Sequence, residues 1–363
     1  MRREQGRHAA RADAAGDCLI AETLKRLGAG RDLSRAEAEG VMEELLEGRL
    51  AHEEIVALLT TLRAKGETVE ELVGFARAMR RHARPVKFED EATEALRAEL
   101  PLLDTAGTGG DNAGTFNVST AAALVIAGAG VRVAKHGNRS ISSRSGSADV
   151  LEALGVNLAQ ASERAGETIT RIGIGFLFAP VMHTSMKHAM AARREVGGRT
   201  VFNLLGPLTN PAGASVQIIG VPTPALVEKL GHALAELGLR RAFVVHGLDG
   251  LDEVSLGGET EVADVRPHSV KRYRIMPEDF GVPRAAREAL AGGDAAANAQ
   301  IIRRILEGEA GPRRDIVCIN AGAALVAAGL AADFRQGAAR AAAAIDSSAA
   351  LGKLEALIEF SVR

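Results

Sequence analysis

Residues Asp104–Asp149 read DTAGTGGDNAGTFNVST, AAALVIAGAGVRVA and KHGNRSISSRSGSAD in succession: two glycine- and hydroxyl-rich loops parted by an apolar stretch of helix length and a short β-branched run. Gly107, Gly109, Gly110 and Gly114 free the first loop to take positive φ and leave no side chain between its N–H groups and a ligand. Asn117, Ser119 and Thr120 stand where the next helix begins, so capping groups and unpaired N–H groups face the positive end of a helix dipole. Phosphate suits such a place. The second loop sets Lys135, His136, Asn138, Arg139 and Arg144 among Ser140, Ser142, Ser143, Ser145 and Ser147, dense in donors and nearly free of negative charge until Asp149. Two donor-rich loops imply more than one phosphate group. The common nucleotide templates fail here: GxxxxGK[ST] is absent, and Gly107-Thr-Gly109 runs into Gly110-Asp111-Asn112 without the third glycine of GxGxxG.

Downstream of Pro101 short β-branched runs alternate with helical ones: Val131–Ala134 then Ala148–Leu154, Val216–Val221 then Ala225–Leu237, Arg241–Val245, and Asp315–Asn320 then Ala321–Leu330. That alternation predicts an α/β domain with a mainly parallel sheet, whose ligands gather at the carboxyl ends of the strands. Thr260–Ile275 reads as a strand pair and Asp333–Phe360 as terminal helices. Upstream the periodicity is helical throughout. Ser34 with Glu37, and Thr68 with Glu71, are capping-box starts, and His52 to Leu62 forms a further amphipathic helix ending near Gly66. The fold class expected is therefore α/β, a small all-helical N-terminal domain (17–90) followed by a larger α/β domain (91–363), with 1–16 as a loose leader. Arg84-Pro85 ends the helical run and the charged stretch Lys87–Arg97 serves as a linker.

A net charge of −2 over 363 residues gives no support for a general nucleic-acid or membrane partner, so any basic function must be local. The apolar runs Ala121–Val131 and Ala321–Ala332 are too short and too rich in Ala and Gly to span a bilayer. Two cysteines, Cys18 and Cys318, supply neither a disulfide framework nor a zinc cluster, and a reducing cytoplasm fits best.

Taken together, Asp104–Asp111, Asn117-Val-Ser-Thr120, Lys135-His-Gly-Asn-Arg139, Ser145-Gly-Ser-Ala-Asp149, Phe202-Asn-Leu-Leu-Gly-Pro-Leu-Thr-Asn-Pro211 and Asp252-Glu-Val-Ser255 resemble the anthranilate phosphoribosyltransferase family, in that family's order and over nearly the whole chain after the leader. The resemblance implies transfer of the 5-phosphoribosyl group from phosphoribosyl pyrophosphate (PRPP) to anthranilate in tryptophan biosynthesis. It also implies a helical domain that makes a homodimer, joined by helices around 183–199, and an active site at the hinge between the domains.

Carried over residue by residue, the resemblance assigns PRPP binding to Gly107, Gly110, Asp111, Thr115, Asn117, Val118, Ser119, Thr120, Lys135, His136, Gly137, Asn138, Arg139, Ser140, Ile141, Ser142, Ser143 and Ser147. Anthranilate falls to Gly107, Asn138 and Arg193, and the catalytic set is Lys135, Asn138 and Arg193. Arginine holds a benzoate carboxylate in a planar fork that lysine lacks, and the neighbouring Arg194 should point elsewhere. Magnesium, two ions per active site, falls to Ser119, Asp252 and Glu253. One hydroxyl and two carboxylates suffice for an ion that keeps waters and substrate phosphates as ligands. Alone, Asp252-Glu253 after Gly247-Leu-Asp-Gly250 reads as a solvated turn. His136, His183 and Pro207 line the aromatic pocket in this reading. Thr184 departs from the proline common there, which touches the shape of the pocket entrance. The alternatives are a pyrimidine nucleoside phosphorylase, which shares the architecture but is expected to carry a Ser-Gly-Arg-Gly type loop in place of His136–Arg139, and a non-catalytic relative that binds nucleic acid.

Overall fold

The computed structural model describes residues 20–88, 101–111, 113–140 and 144–362. The leader, Cys18, the domain boundary near 90 and most of the charged linker lie outside them. The described chain forms two compact units, residues up to Ala83 with His183–Leu205, and Arg84–Met182 with Gly206 onward.

The first unit is helical, with helices at 20–28, Arg35–Leu46, His52–Lys65 and Val69–His82, a 3-10 turn at Thr184–His188 and a helix at Met190–Val196. Both capping boxes form: the Ser34 and Thr68 side chains accept from the N–H of Glu37 and Glu71, and each glutamate returns to the cap's own N–H at 2.8 Å. Glu71 does more than cap. Fully buried, it also accepts the Leu33 N–H and the Lys65 ammonium, each at 3.0 Å, so one carboxylate ties the ends of two helices to the turn before a third.

The second unit is built on a seven-stranded sheet: β1 Leu102–Gly107, β2 Arg132–Gly137, β3 Ile174–Phe178, β4 Val216–Gly220, β5 Arg241–Gly247, β6 Thr260–Arg266 and β7 Ser269–Ile275, in the order β3-β2-β1-β4-β5-β6-β7. The first five in that order are parallel, and β6 and β7 add an antiparallel hairpin whose outer strand exposes Lys271, Arg272 and Arg274 along the free edge. The chain winds outward from β1 to β3, then returns to lay β4 on the other side of β1. The sheet therefore has its topological switch between β1 and β4, where crevices open beyond the strands' carboxyl ends. Gly107 and Gly220 are paired there.

The sequence left β1 and β3 unmarked and misread one element. Asp315–Asn320 is no strand but the interior of the helix Pro312–Ala327, with Pro312 in its first turn. Every residue from Ile316 to Ala327 is buried, so the helix has no polar face and no 3.6-residue signal, and its Ile-Val-Cys-Ile run mimics a central strand. It packs on the equally buried helix Val118–Gly128 and on Phe334–Asp346. Among the described residues no helix is long and apolar enough to cross a membrane.

Candidate active site

The first loop leaves the end of β1 and is pinned to β4 by the Thr108 N–H, which donates to the Gly220 carbonyl at 3.0 Å. Gly109, Gly110 and Gly114 take φ of 66°, 90° and 68°, the left-handed conformations expected of glycine here. Asp111 folds the loop back: its carboxylate accepts the Ala113 N–H at 3.1 Å and the Asp252 N–H at 3.4 Å. Thr115 forms an isolated bridge with Ala291. Asn112 lies outside the described residues.

Asn117 takes the N-cap position of the helix Val118–Gly128, but its side chain does not cap. Its amide donates to the Ser145 carbonyl and accepts from Asn298, both at 3.0 Å, so it staples the first loop to the second. The Ser119 N–H, which the sequence reading leaves open to phosphate, lies near enough to the Glu253 carboxyl to favour its ionised form. A protein carboxylate thus already sits at the positive end of this helix. Val118 and Thr120 are buried in the packing beneath.

In the second loop Lys135 ends deep in the sheet, 3 % exposed, its ammonium donating to the Thr105 carbonyl at 2.6 Å and hydroxyl at 3.1 Å, with the Ser119 hydroxyl at 3.5 Å. Burial lowers its pKa, against the pull of Asp104 and Glu253. His136 is buried, with Nδ1 at 3.2 Å from the Gly206 carbonyl. Gly137 follows, and Asn138 and Arg139 are exposed. The expected excess of positive charge here is smaller than the sequence suggests. Arg139 is held by Asp149 at 3.0 Å and Glu152 at 2.8 Å, and Asp149 also accepts the N–H groups of Ser140 and Gly146. Ser147 opens the helix Ser147–Ala153 and its hydroxyl reaches the Asn138 carbonyl at 3.4 Å. Ile141, Ser142 and Ser143 lie outside the described residues.

Asp252 and Glu253 come from the loop after β5, which Asn320 fixes by accepting the Val254 N–H at 2.9 Å and donating to the Val254 carbonyl at 3.0 Å. The Asp252 carbonyl lies against Gly220 so closely that a Cβ there would stand 1.5 Å from it. Burial pushes the Glu253 carboxyl up to about 8, against the pull of Lys135 and with repulsion from Asp111 added. Burial, then Asp111 and Glu253, raise Asp252 well above the usual carboxylate range. Asp111, Asp252 and Glu253 thus crowd one another, with Lys135 balancing Glu253, and a set of carboxyl groups held against ionisation in this way suits a hard divalent cation. Ser119, Asp252 and Glu253 supply the hydroxyl and carboxylate oxygens such an ion prefers.

Gly107 and Asn138 belong to the α/β unit, and Arg193 belongs to the helical one. Arg193 stacks its guanidinium over the Phe202 ring at 5.0 Å, and burial lowers its pKa, whereas Arg194 is exposed. His183 is buried in the same unit as Arg193, its pKa pushed down to about 4 by burial alone. Pro207 falls in the α/β unit, its carbonyl accepting from Gln217 at 2.8 Å.

Sequence reasoning gave no site role to Asp104, Thr105 and Asn210, although they lie in the quoted motifs, nor to Gln217 and Asn320, all buried polar residues. Their signal was available in principle: a polar residue inside an apolar run needs a partner.

The family model "Glycosyl transferase family, a/b domain" matches residues 99–351, and "Glycosyl transferase family, helical bundle domain" matches 21–83. The chain is 54% identical over 338 residues to an anthranilate phosphoribosyltransferase of Solibacter usitatus, covering 93% of this chain and 97% of that one. Its structure is similar to an anthranilate phosphoribosyltransferase of Thermus thermophilus, with a TM-score of 0.86 and 45% identity over 94% of this chain and 99% of that one. It is also similar to the Saccharomyces cerevisiae enzyme in complex with PRPP and Mg, with a TM-score of 0.85 and 27% identity over 95% and 98% of the two chains.

Proposed function

This chain belongs to the anthranilate phosphoribosyltransferase family, and from that premise we infer that it transfers the 5-phosphoribosyl group of PRPP to the amine of anthranilate, releasing pyrophosphate, in tryptophan biosynthesis. The observation that carries the reading is the meeting of the glycine loop after β1, the Lys135 side chain and the carboxyl groups of Asp111, Asp252 and Glu253, with Asn117 tying that loop to Ser145.

The reaction asks little of acid–base groups. The ribose C1–oxygen bond to pyrophosphate breaks as an oxocarbenium-like centre forms, and the anthranilate nitrogen makes the new bond with its own lone pair, its proton leaving afterwards. Charge grows on the departing pyrophosphate, so donors fixed in advance matter most. Gly107, Gly110, Asp111, Thr115 and Asn117–Thr120 bind PRPP together with Lys135–Ser143 and Ser147. Lys135 offers its ammonium from a low-dielectric site, where a charge is worth more than in water. Arg193 pairs with the anthranilate carboxylate, and Asn138 and Gly107 orient the ring. Magnesium held by Ser119, Asp252 and Glu253 would supply electrostatic neutralisation of the leaving group. We take two ions per active site, which the count of three carboxyl groups supports. We also propose that the protein is a homodimer through its helical domain, whose short amphipathic helices suit a partner, and that it resides in the cytoplasm.

The test is to mix protein, PRPP, magnesium and anthranilate and follow anthranilate fluorescence, omitting each component in turn. Decay that needs all three small molecules is the expected result. A folded sample that binds PRPP and leaves anthranilate untouched would sink the choice of acceptor.

A further inference from the structure

The ladder between β1 and β2 ends early. It pairs Leu102 with Arg132 and Leu103 with Val133 and then stops, although β1 runs on beside β4 to Gly107 and β2 runs on beside β3 to Gly137. The two strands part just where Lys135 sits, and side chains fill the place of the missing backbone bonds. Asp104, wholly buried, accepts the His136 N–H on Oδ1 at 3.0 Å and the Asn210 amide on Oδ2 at 2.8 Å. Asn210, also buried, gives its other amide proton to the Ala134 carbonyl at 2.8 Å and accepts the Ala212 N–H at 2.9 Å. The two backbone groups that flank Lys135, the Ala134 carbonyl and the His136 N–H, are therefore gripped by this one pair. Both Asp104 oxygens accept here, which favours the ionised form, and the buried Lys135 charge pulls the same way.

We propose that Asp104 and Asn210 are positioning residues for PRPP, splaying β1 from β2 and fixing Lys135 between the Ala134 carbonyl and the His136 N–H. Neither need touch the substrate. They set the place from which the Lys135 ammonium meets it, and an error of an ångström in that place is costly in rate. The inference rests on the PRPP reading above.

The experiment titrates PRPP with magnesium into the full-length protein by calorimetry and measures the anthranilate KM separately, for the parent, Asp104→Asn and Asn210→Ser. Asp104→Asn keeps the shape but turns one acceptor into a donor aimed at the Asn210 amide. Ser162→Ala is the structural control. Its hydroxyl, buried between a helix and β3, accepts the Phe178 N–H at 2.8 Å, so its loss lowers the unfolding midpoint without touching this split. Expected are a PRPP affinity at least ~10-fold weaker in both split variants, which is the order of one charged hydrogen bond, an anthranilate KM within about twofold, and parent-like PRPP binding in Ser162→Ala. Should Asp104→Asn not fold, Asn210→Ser, which leaves the carboxylate in place, carries the same reading. PRPP binding within about twofold of the parent in the folded variants overturns the proposal, as does equal loss toward both substrates. A parent that fails to bind PRPP refutes the function itself, and is told apart because the defect then precedes any variant.

Discussion

At the scale of single residues, Arg193 is the side chain whose chemistry is hardest to replace. It is largely withdrawn from water and stacked on Phe202, so its planar fork is already ordered before any carboxylate arrives. Arg193→Ala is expected to raise the anthranilate KM by ~10- to 100-fold, the range of a lost charged hydrogen bond, with the PRPP KM little changed. Steady-state kinetics in both substrates checks it, and Arg194→Ala, an exposed neighbour, is the control. Equal loss toward PRPP would remove Arg193 from the acceptor site. The glycine-rich loop and the loop after Lys135 stand out by unusual local chemistry, whereas Arg193, Asp252 and Glu253 entered only through the family resemblance. Asp104 stands in the sequence only as the first residue of the glycine-rich stretch and Asn210 only as part of the Phe202–Pro211 motif, neither with a role of its own. Their roles arise from a pairing across 106 positions of sequence, which no local pattern encodes.

At the scale of elements, the site depends on how closely the Asp252 loop lies on the end of β4. The Gly220 Cα almost touches the Asp252 carbonyl, and Gly107, its partner on β1, faces the Asp252 carboxylate. Gly220→Ala places a methyl 1.5 Å from that carbonyl oxygen, and backbone on both sides must give way. The expected cost is ~1–3 kcal/mol of stability from overpacking, with a larger effect on activity, since the loop that yields carries the acidic pair. Purified Gly220→Ala should unfold at lower urea than the parent and should need more magnesium for half-maximal rate. Parent-like magnesium dependence in folded protein would mean that the loop keeps its place by other contacts. Most elements could be read from periodicity and caps. The helices of the first unit have one wet face each and announce themselves, and Ser34 and Thr68 mark their starts. The failure at Pro312–Ala327 has the opposite cause. A helix buried on every side loses the alternation that distinguishes it, and its length and its opening Gly-Pro, not its composition, were the clues.

At the scale of the whole molecule, the two units carry buried titratable groups whose linkage to pH runs in opposite directions. In the helical unit His183 is held neutral, its pKa lowered from 6.5 to about 4 by burial. Between those values the unfolded chain binds more protons, so this contribution is present above pH 6.5 and is lost as pH falls through 4. In the α/β unit Glu253 is raised from 4.5 to about 8, and Asp104 from 3.8 to about 6, chiefly by burial. Here the folded chain binds more protons, so the contribution is complete below the ordinary carboxylate pKa and fades as pH rises through 6 and then 8. A tenfold change in acidity corresponds to about 1.4 kcal/mol, so each group contributes on the order of a few kcal/mol. Urea unfolding followed from pH 4 to 8.5 in chelator separates them by window. Between 4 and 6.5 His183 opposes Asp104 and Glu253, so His183→Gln steepens the fall of stability with pH there and leaves the alkaline limb from 6.5 to 8 unchanged, whereas Glu253→Gln makes that alkaline limb shallower. Adding magnesium to the parent should flatten the alkaline limb as well, because a cation favours the ionised carboxylates that burial opposes. If Glu253→Gln keeps the parent's alkaline slope, and magnesium leaves it unchanged, then the acidic pair is not the strained group at the switch point, and the ion has to be sought elsewhere.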